Sequence, residues 1–151
     1  MKLSTKGRYG LKAMLDLALH DSEGQVALKT IAERQGLSEN YLEQLFAILK
    51  KAELVKSIRG AQGGYILSQT PDNITVGSVL RALEGSLAPT ECVTDSSEPL
   101  YCSKSGKCVT KLVWEKIRDK VNEVVDSMTL ADLLEDYRKA NSGDEFFTYY
   151  I

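Results

Sequence analysis

Apolar residues recur at three- and four-residue intervals along most of the chain, with one interruption where the period shortens. Ser4 or Thr5 can cap a first helix, and Leu11, Met14, Leu15, Ala18 and Leu19 carry its stripe to about Leu19. DSEGQ at 21–25 reads as a turn. Ile31 and Ala32 face inward from a short second helix, Leu28 to Gln35, which Gly36 can close in the left-handed conformation. Ser38 caps a third helix, Glu39 to Lys51. Glu39 sits at its positive end, and Leu42, Leu45, Phe46 and Leu49 form its buried stripe. LVKSI (54–58) and GYILS (64–68) then read as strands, joined by the basic, glycine-containing loop RGAQG (59–63). Pro71, Asp72 and Asn73 make a turn, and Thr75 caps a helix from Val76 to Leu83 that ends at Gly85.

Helix, short turn with glycine, helix, then hairpin is the order of a winged helix-turn-helix domain. The predicted fold class is therefore mainly α with a small β-wing. A polar stretch follows over 86–106, and after it a long helical pattern runs roughly from Lys107 to Asp126. Val109, Val113, Ile117, Val121, Val124 and Met128 repeat along one face of it. Set off from the winged domain by a polar loop, such a helix has little of its own chain to bury against, which predicts a homodimer built on it. Thr129 to Asp132 resembles a capping pattern for a last helix to about Lys139, followed by a loop, ANSGDE, and the ending FFTYYI. The organisation expected is a DNA-binding winged domain at 1–85, a cysteine-containing loop at 86–106, a dimerisation helix at 107–128, and a C-terminal helix and tail at 129–151.

Charge refines this picture. The net charge of −2 hides an asymmetry: residues 1–85 balance at +2 and residues 86–151 at −4. Lys2, Lys6, Arg8 and Lys12 fall in the first twelve positions without an acid among them, a local patch of the kind that meets phosphates as well as an ordinary solvated helix start. No apolar run approaches the ~20 residues of a membrane span. No signal-type stretch precedes position 11, so a cytoplasmic protein is expected. A single histidine, His20, and no nucleophile motif argue against an enzyme. The glycines of the 59–63 loop lack the G-K-[ST] ending and following helix of a nucleotide-phosphate loop.

All three cysteines, Cys92, Cys102 and Cys108, lie in TECVTDSSEPLYCSKSGKC, at 90–108. An odd number of thiols in a reducing compartment points to free, redox-active or metal-bound groups. The spacing C-x9-C-x5-C contains neither the close pairs of structural zinc sites nor a C-x-x-C redox pair. Clustered thiolates suit iron–sulfur chemistry, because soft sulfur ligands favour it.

MKLSTKGRYGLKAMLDLAL, SENYLEQLF, LVKSIRGAQGGYIL and ITVGSVLRALEG together resemble the bacterial winged-helix regulators that include IscR, CymR and NsrR, over most of residues 1–130. The resemblance implies a homodimeric DNA-binding transcription factor, commonly a repressor. In a winged helix the third helix enters the major groove. Ser38, Glu39, Asn40, Tyr41, Glu43 and Gln44 would face the bases, with Asn40 or Gln44 suited to adenine and Glu43 to a cytosine amine. Arg59, beside Gly60 at the wing tip, suits a narrow minor groove.

The resemblance further implies a [2Fe-2S] cluster on Cys92, Cys102 and Cys108, as in the IscR-type branch. That branch supplies a histidine three residues after the last cysteine, where this chain has Lys111. Arg8 stands where one relative has a ligating aspartate, and His20 reads as a helix C-terminal cation. Glu91, Asp95, Glu98, Glu115 or an exogenous ligand stay open for the fourth position. The ending resembles CymR-like members, whose C-terminal isoleucine can enter O-acetylserine thiol-lyase. That implies partner binding through Tyr150 and Ile151.

Overall fold

The computed structural model describes residues 2–94 and 106–148, with side chains to residue 142. Its elements are α1 (Thr5–Leu19), α2 (Leu28–Gln35), α3 (Glu39–Lys51), β1 (Val55–Ile58), β2 (Gly64–Leu67), α4 (Val76–Glu84), α5 (Val109–Ser127) and α6 (Leu130–Thr148). The mainly helical fold with a two-stranded wing is the one the hydrophobic pattern predicts.

Local chemistry explains the boundaries. The hydroxyls of Ser4, Ser38 and Thr75 accept from the backbone N–H of Lys6, Tyr41 and Ser78, so three helices start on side-chain caps. Gly36 closes α2 at φ 65°. The third helix closes differently. Glu53 adopts φ 62°, and the N–H groups of Glu53 and Leu54 return to the carbonyls of Lys50 and Leu49. A glutamate thus holds a position that glycine usually takes, which is why no glycine marks this helix end.

β1 and β2 pair antiparallel, from Val55 opposite Leu67 to Ile58 opposite Gly64. Val26 adds a third, single-residue rung to Tyr65, with N···O distances of 2.8 and 2.9 Å. A side chain at position 64 would run into the Val26 carbonyl, so Gly64 is what allows that rung.

The core is built from Met14, Leu17, Ile31, Leu42, Leu45, Phe46 and Leu49, all at or below 1% exposure. Burying each large apolar side chain contributes roughly 1.5–3 kcal/mol. One carboxylate lies inside: Asp16 is 3% exposed. Arg34 donates to both its oxygens (Nη2–Oδ1 2.7 Å, Nε–Oδ2 3.1 Å), and Gln35 donates to Oδ2 at 2.9 Å. This bidentate pair ties α2 to α1, and its charge-assisted hydrogen bonds raise the Arg34 pKa.

Two expectations are corrected. The last helix does not stop near Lys139 but continues through ANSGDE to Thr148. A single glycine costs a helix only about 1 kcal/mol, and the Ser142 hydroxyl donates back to the Arg138 carbonyl at 2.9 Å rather than breaking the turn. The long helix is also not detached. Val125 is buried with Val76, Leu80 and Leu87. The Val76 N–H donates to the Met128 carbonyl (2.8 Å) and the Leu130 N–H to the Ile74 carbonyl (2.9 Å). Leu130 and Leu134 join the core of the winged domain.

Small residues set how closely the helices approach. A Cβ at Gly10 would lie 2.1 Å from Leu83 Cδ1, and one at Gly7 would lie 2.5 Å from Glu84 Oε1. The α1–α4 contact is therefore nearly backbone against side chain. The Glu84 carboxylate uses this closeness to accept from the N–H groups of Ser4 and Gly7, both at 2.9 Å, at the positive end of α1. Gly77 does the same for α4 and α5: a Cβ there would meet Asp126 Oδ1 at 2.1 Å. Arg81 holds Asp126 through two hydrogen bonds of 2.7 and 2.8 Å and reaches Asn122 at 2.8 Å.

Gly10→Val is expected to destabilise the protein by about 1–3 kcal/mol through overpacking against Leu83, read as a lower urea midpoint at unchanged slope. Combined with Leu83→Ala, its cost should be smaller than the sum of the single changes, and strict additivity would refute the contact.

Candidate nucleic-acid interface and thiol site

The third helix shows one apolar and one polar face. Leu42, Leu45, Phe46 and Leu49 are buried, while Asn40, Glu43 and Gln44 are exposed on the opposite side, with Ser38 and Glu39 exposed at its start. Ser38 is committed to its own helix, since its Oγ accepts from the Tyr41 N–H at 3.1 Å. Tyr41 is half-buried. Its ring meets Tyr9 of α1 edge-on at 6.2 Å, and its hydroxyl donates to Thr5 Oγ1 at 3.2 Å. It therefore fixes the first turn of α3 against the first turns of α1. Nothing in the sequence pattern singled out Tyr9, and Thr5 stood out only as an alternative cap for the first helix. Their spacing of four from one another is the signal that puts them on one helix face.

The wing presents Arg59 and Gly60 together, both exposed, at the tip of the hairpin. Gly60 has φ 123°, a conformation closed to most side chains, and its carbonyl accepts from the Gly63 N–H at 3.0 Å. Gln25 donates to the Gln62 carbonyl at 2.8 Å and steadies the loop from below. The polar face of α3 and the wing tip thus carry donors and acceptors on rigid supports. That combination can read base edges with the helix and meet phosphates or a minor groove with the wing.

Of the three cysteines, Cys102 lies outside the described residues, as do Asp95, Glu98, Tyr150 and Ile151. Cys92 is half-buried in the 3-10 turn Glu91–Val93, its sulfur 3.1 Å from Thr90 Oγ1. Buried Val93 and an Arg118 hydrogen bond to its carbonyl (3.2 Å) fasten this turn to α5. Cys108 is the N-cap residue of α5. The Thr110 hydroxyl, 3.1 Å away, stabilises its sulfur first, then the Lys111 N–H. The Lys111 charge adds a smaller effect, and together they hold the thiol below its ordinary pKa. Both described thiols are free, so each can serve as a soft ligand. Among the described residues no three His, Cys, Asp or Glu side chains come together as a metal site. Of the candidates for a further ligand, Glu91 is exposed and Glu115 half-buried. His20 is tied back to the Asp16 carbonyl at 2.8 Å.

Toward its N-terminus α5 leaves apolar residues in the open. Val109 is 76% exposed, Leu112 57% and Val113 48%, and Val124 further along is 55% exposed. The expected stripe is thus split. Val121 and Met128 pack toward the winged domain beside Val125, which the stripe omitted, while Val109, Val113 and Val124 face away from it. No helix among the described residues is long and apolar enough to cross a membrane.

Comparison with known proteins converges. The family model Rrf2, an iron-dependent transcriptional regulator, matches residues 3–136. The solved structure of IscR from T. potens shares 54% identity and superposes with a TM-score of 0.74, covering 93% of this chain and 90% of that one. The transcriptional regulator CymR of Bacillus subtilis is 47% identical over 151 residues, the whole of both chains. IscR of Sodalis glossinidius is 43% identical over 134 residues, covering 89% of this chain and 79% of that one. The chain belongs to the Rrf2 family of transcriptional regulators, DNA-binding proteins of winged-helix fold.

In metal-free protein with Cys92 and Cys102 changed to serine, Thr110→Val is expected to move the pH midpoint of Cys108 alkylation upward, because the hydroxyl no longer supports the thiolate. A midpoint that stays in place would remove Thr110 from the account.

Proposed function

We propose that this chain is a homodimeric transcriptional repressor whose DNA affinity responds to a [2Fe-2S] cluster held by Cys92, Cys102 and Cys108. The observation that carries the reading is where the thiols stand. Cys108 begins α5 with its thiol pKa lowered by Thr110 and the Lys111 N–H, and Cys92 sits in a turn strapped to the same helix. A group held by these thiols would act on the joint between the winged head and the long helix. When bound, such a cluster supplies a redox-sensitive and exchangeable centre. The chain's own part would be to present the thiols, keep Lys111 beside Cys108, and convert their spacing into the placement of α5 against α4.

Dimerisation is assigned to the outward face of α5. Val109, Leu112 and Val113 at one end of α5, and Val124 further along, expose large apolar side chains that a second copy would cover. Two heads spaced by that contact would read two half-sites. In each head, Asn40, Glu43 and Gln44 would face base edges, Ser38 and Glu39 would lie at the helix entry, Tyr41 would brace it, and Arg59 with Gly60 would reach the adjoining groove.

One observation favours a second reading. The likeness to CymR runs over the full length of both chains, including the ending. A solved CymR is described as the global cysteine regulator of B. subtilis. On that reading the chain represses sulfur-metabolism genes together with O-acetylserine thiol-lyase, which would bind Tyr150 and Ile151.

Arg59→Ala should cost about 1–3 kcal/mol on a duplex selected for tight binding and less on a scrambled one at the same salt. An equal loss on both would remove Arg59 from sequence reading. Anaerobic reconstitution with iron and sulfide should colour the wild type, change its affinity for the selected duplex, and do neither in Cys92→Ser or Cys108→Ser. A colourless wild type that captures O-acetylserine thiol-lyase, and loses it when residues 150–151 are removed, would replace the first reading with the second.

A further inference from the structure

We infer that Arg8 and Lys12 of the first helix form a phosphate clamp beside the recognition helix, held in place by Tyr9. The inference rests on the reading of α3 as the helix that enters the major groove. Thr5, Arg8, Tyr9 and Lys12 share one face of α1, being spaced by three and four residues. That face is joined to the entry of α3, since Tyr41 donates to Thr5 and meets Tyr9 edge-on. Whatever duplex Asn40 and Gln44 engage therefore passes close to this part of α1.

Both cations lie against the same ring. The Arg8 guanidinium carbon is 5.9 Å from the Tyr9 centroid and the Lys12 nitrogen 5.7 Å. Tyr9 thus narrows the range of two long side chains while leaving their charged ends exposed. Neither makes an ion pair among the described residues. Asp16 is the first acid in the chain, and it is buried on Arg34. The helix terminus itself is not the anion site, because Glu84 already occupies the N–H groups of Ser4 and Gly7. The four early cations are also not equivalent. Lys2 lies away from the Tyr9 face, at a cleft lined by Leu80, Ser86 and Leu87.

A clamp of this kind contributes affinity without sequence information, and its signature is the salt dependence of binding. Kd would be measured by fluorescence anisotropy for a selected and a scrambled duplex over a series of KCl concentrations, with wild type, Arg8→Gln, Lys12→Gln and the double variant. Each lost phosphate contact should flatten the plot of log K against log salt by about 0.9. Both duplexes should weaken by the same factor, so that their ratio is preserved. Arg8→Lys with Lys12→Arg should retain the wild-type slope. Thermal unfolding checks that the glutamine variants remain folded. An unchanged slope in the double variant, or a loss confined to the selected duplex, would overturn the clamp. A wild type that shows no preference between the two duplexes would instead overturn the reading of α3, and the clamp with it.

Discussion

The contact between α1 and α4 is the constraint on which the other placements depend. Gly7 and Gly10 remove two side chains from α1 where α4 arrives, and Leu83 and Glu84 fill the space left. Glu84 then ties the two elements by accepting from the first free N–H groups of α1. A carboxylate at that end is favoured by the helix dipole as well as by its hydrogen bonds. From this joint, α1 carries Tyr9 to α3, and α4 carries Gly77 and Arg81 to α5. The winged head and the long helix therefore meet through two helices in close contact. Side chains packed this tightly respond to displacement by shifting as units.

The α4–α5 contact has a different character. Arg81 and Asp126 are both partly exposed, so solvent weakens their attraction and the pair contributes modestly to stability. Its direction with pH is nevertheless fixed. Arg81 lowers the Asp126 pKa, so the contribution is complete above the ordinary carboxylate pKa and is lost as pH falls through the lowered value. The buried apolar part of this contact is small, Val76, Leu80, Leu87 and Val125, with Leu11, Val121, Met128 and Leu133 packed against it. A minor hydrophobic cluster closed by an exposed ion pair is a contact that a modest free energy can shift, unlike the α1–α3 core.

Much of the head was legible because its signals are local. Ser4, Ser38 and Thr75 cap helices, Gly36 closes one, and the shift to short strand-like runs marks the wing. What escaped the sequence reading depends on partners distant in the chain. Asp16 looks like one acid in an apolar run until Arg34 and Gln35, eighteen and nineteen residues on, fold over it. Val121, Val124 and Val125 make a patch too dense to assign to one face. The fold sends Val125 inward and Val124 outward. ANSGDE has the composition of a loop, yet it continues a helix already anchored by Leu130, Leu134 and the reciprocal Thr129–Asp132 cap. The candidate site divides the same way. The exposed residues of α3 and the wing follow from helical spacing and hairpin position, whereas Tyr9 and Thr5 acquire a role only once Tyr41 packs on them.

A net charge of −2 is compatible with DNA binding because the fold sorts its charges. Four acids of the later helices are matched within a few residues or across one contact: Glu123 with Lys120, Glu135 with Lys139, Asp119 with Arg118, and Asp126 with Arg81. In the head, Asp16 is spent on Arg34 and Glu84 on backbone N–H groups. Among the described residues, Arg8, Lys12 and Arg59 are among the cations of the head with no acid in ion-pair range. Local field rather than total charge governs the approach of a polyanion, and paired charges cancel within a screening length of roughly 8–10 Å. The unpaired cations flank α3, which itself exposes Glu39 and Glu43. On the proposed docking, attraction would lie at the edges, where phosphates run, and repulsion at the centre, where a wrong base pair would leave a carboxylate without a donor. A head docked in that way would gain general affinity at its edges and give it up at its centre unless the sequence fits.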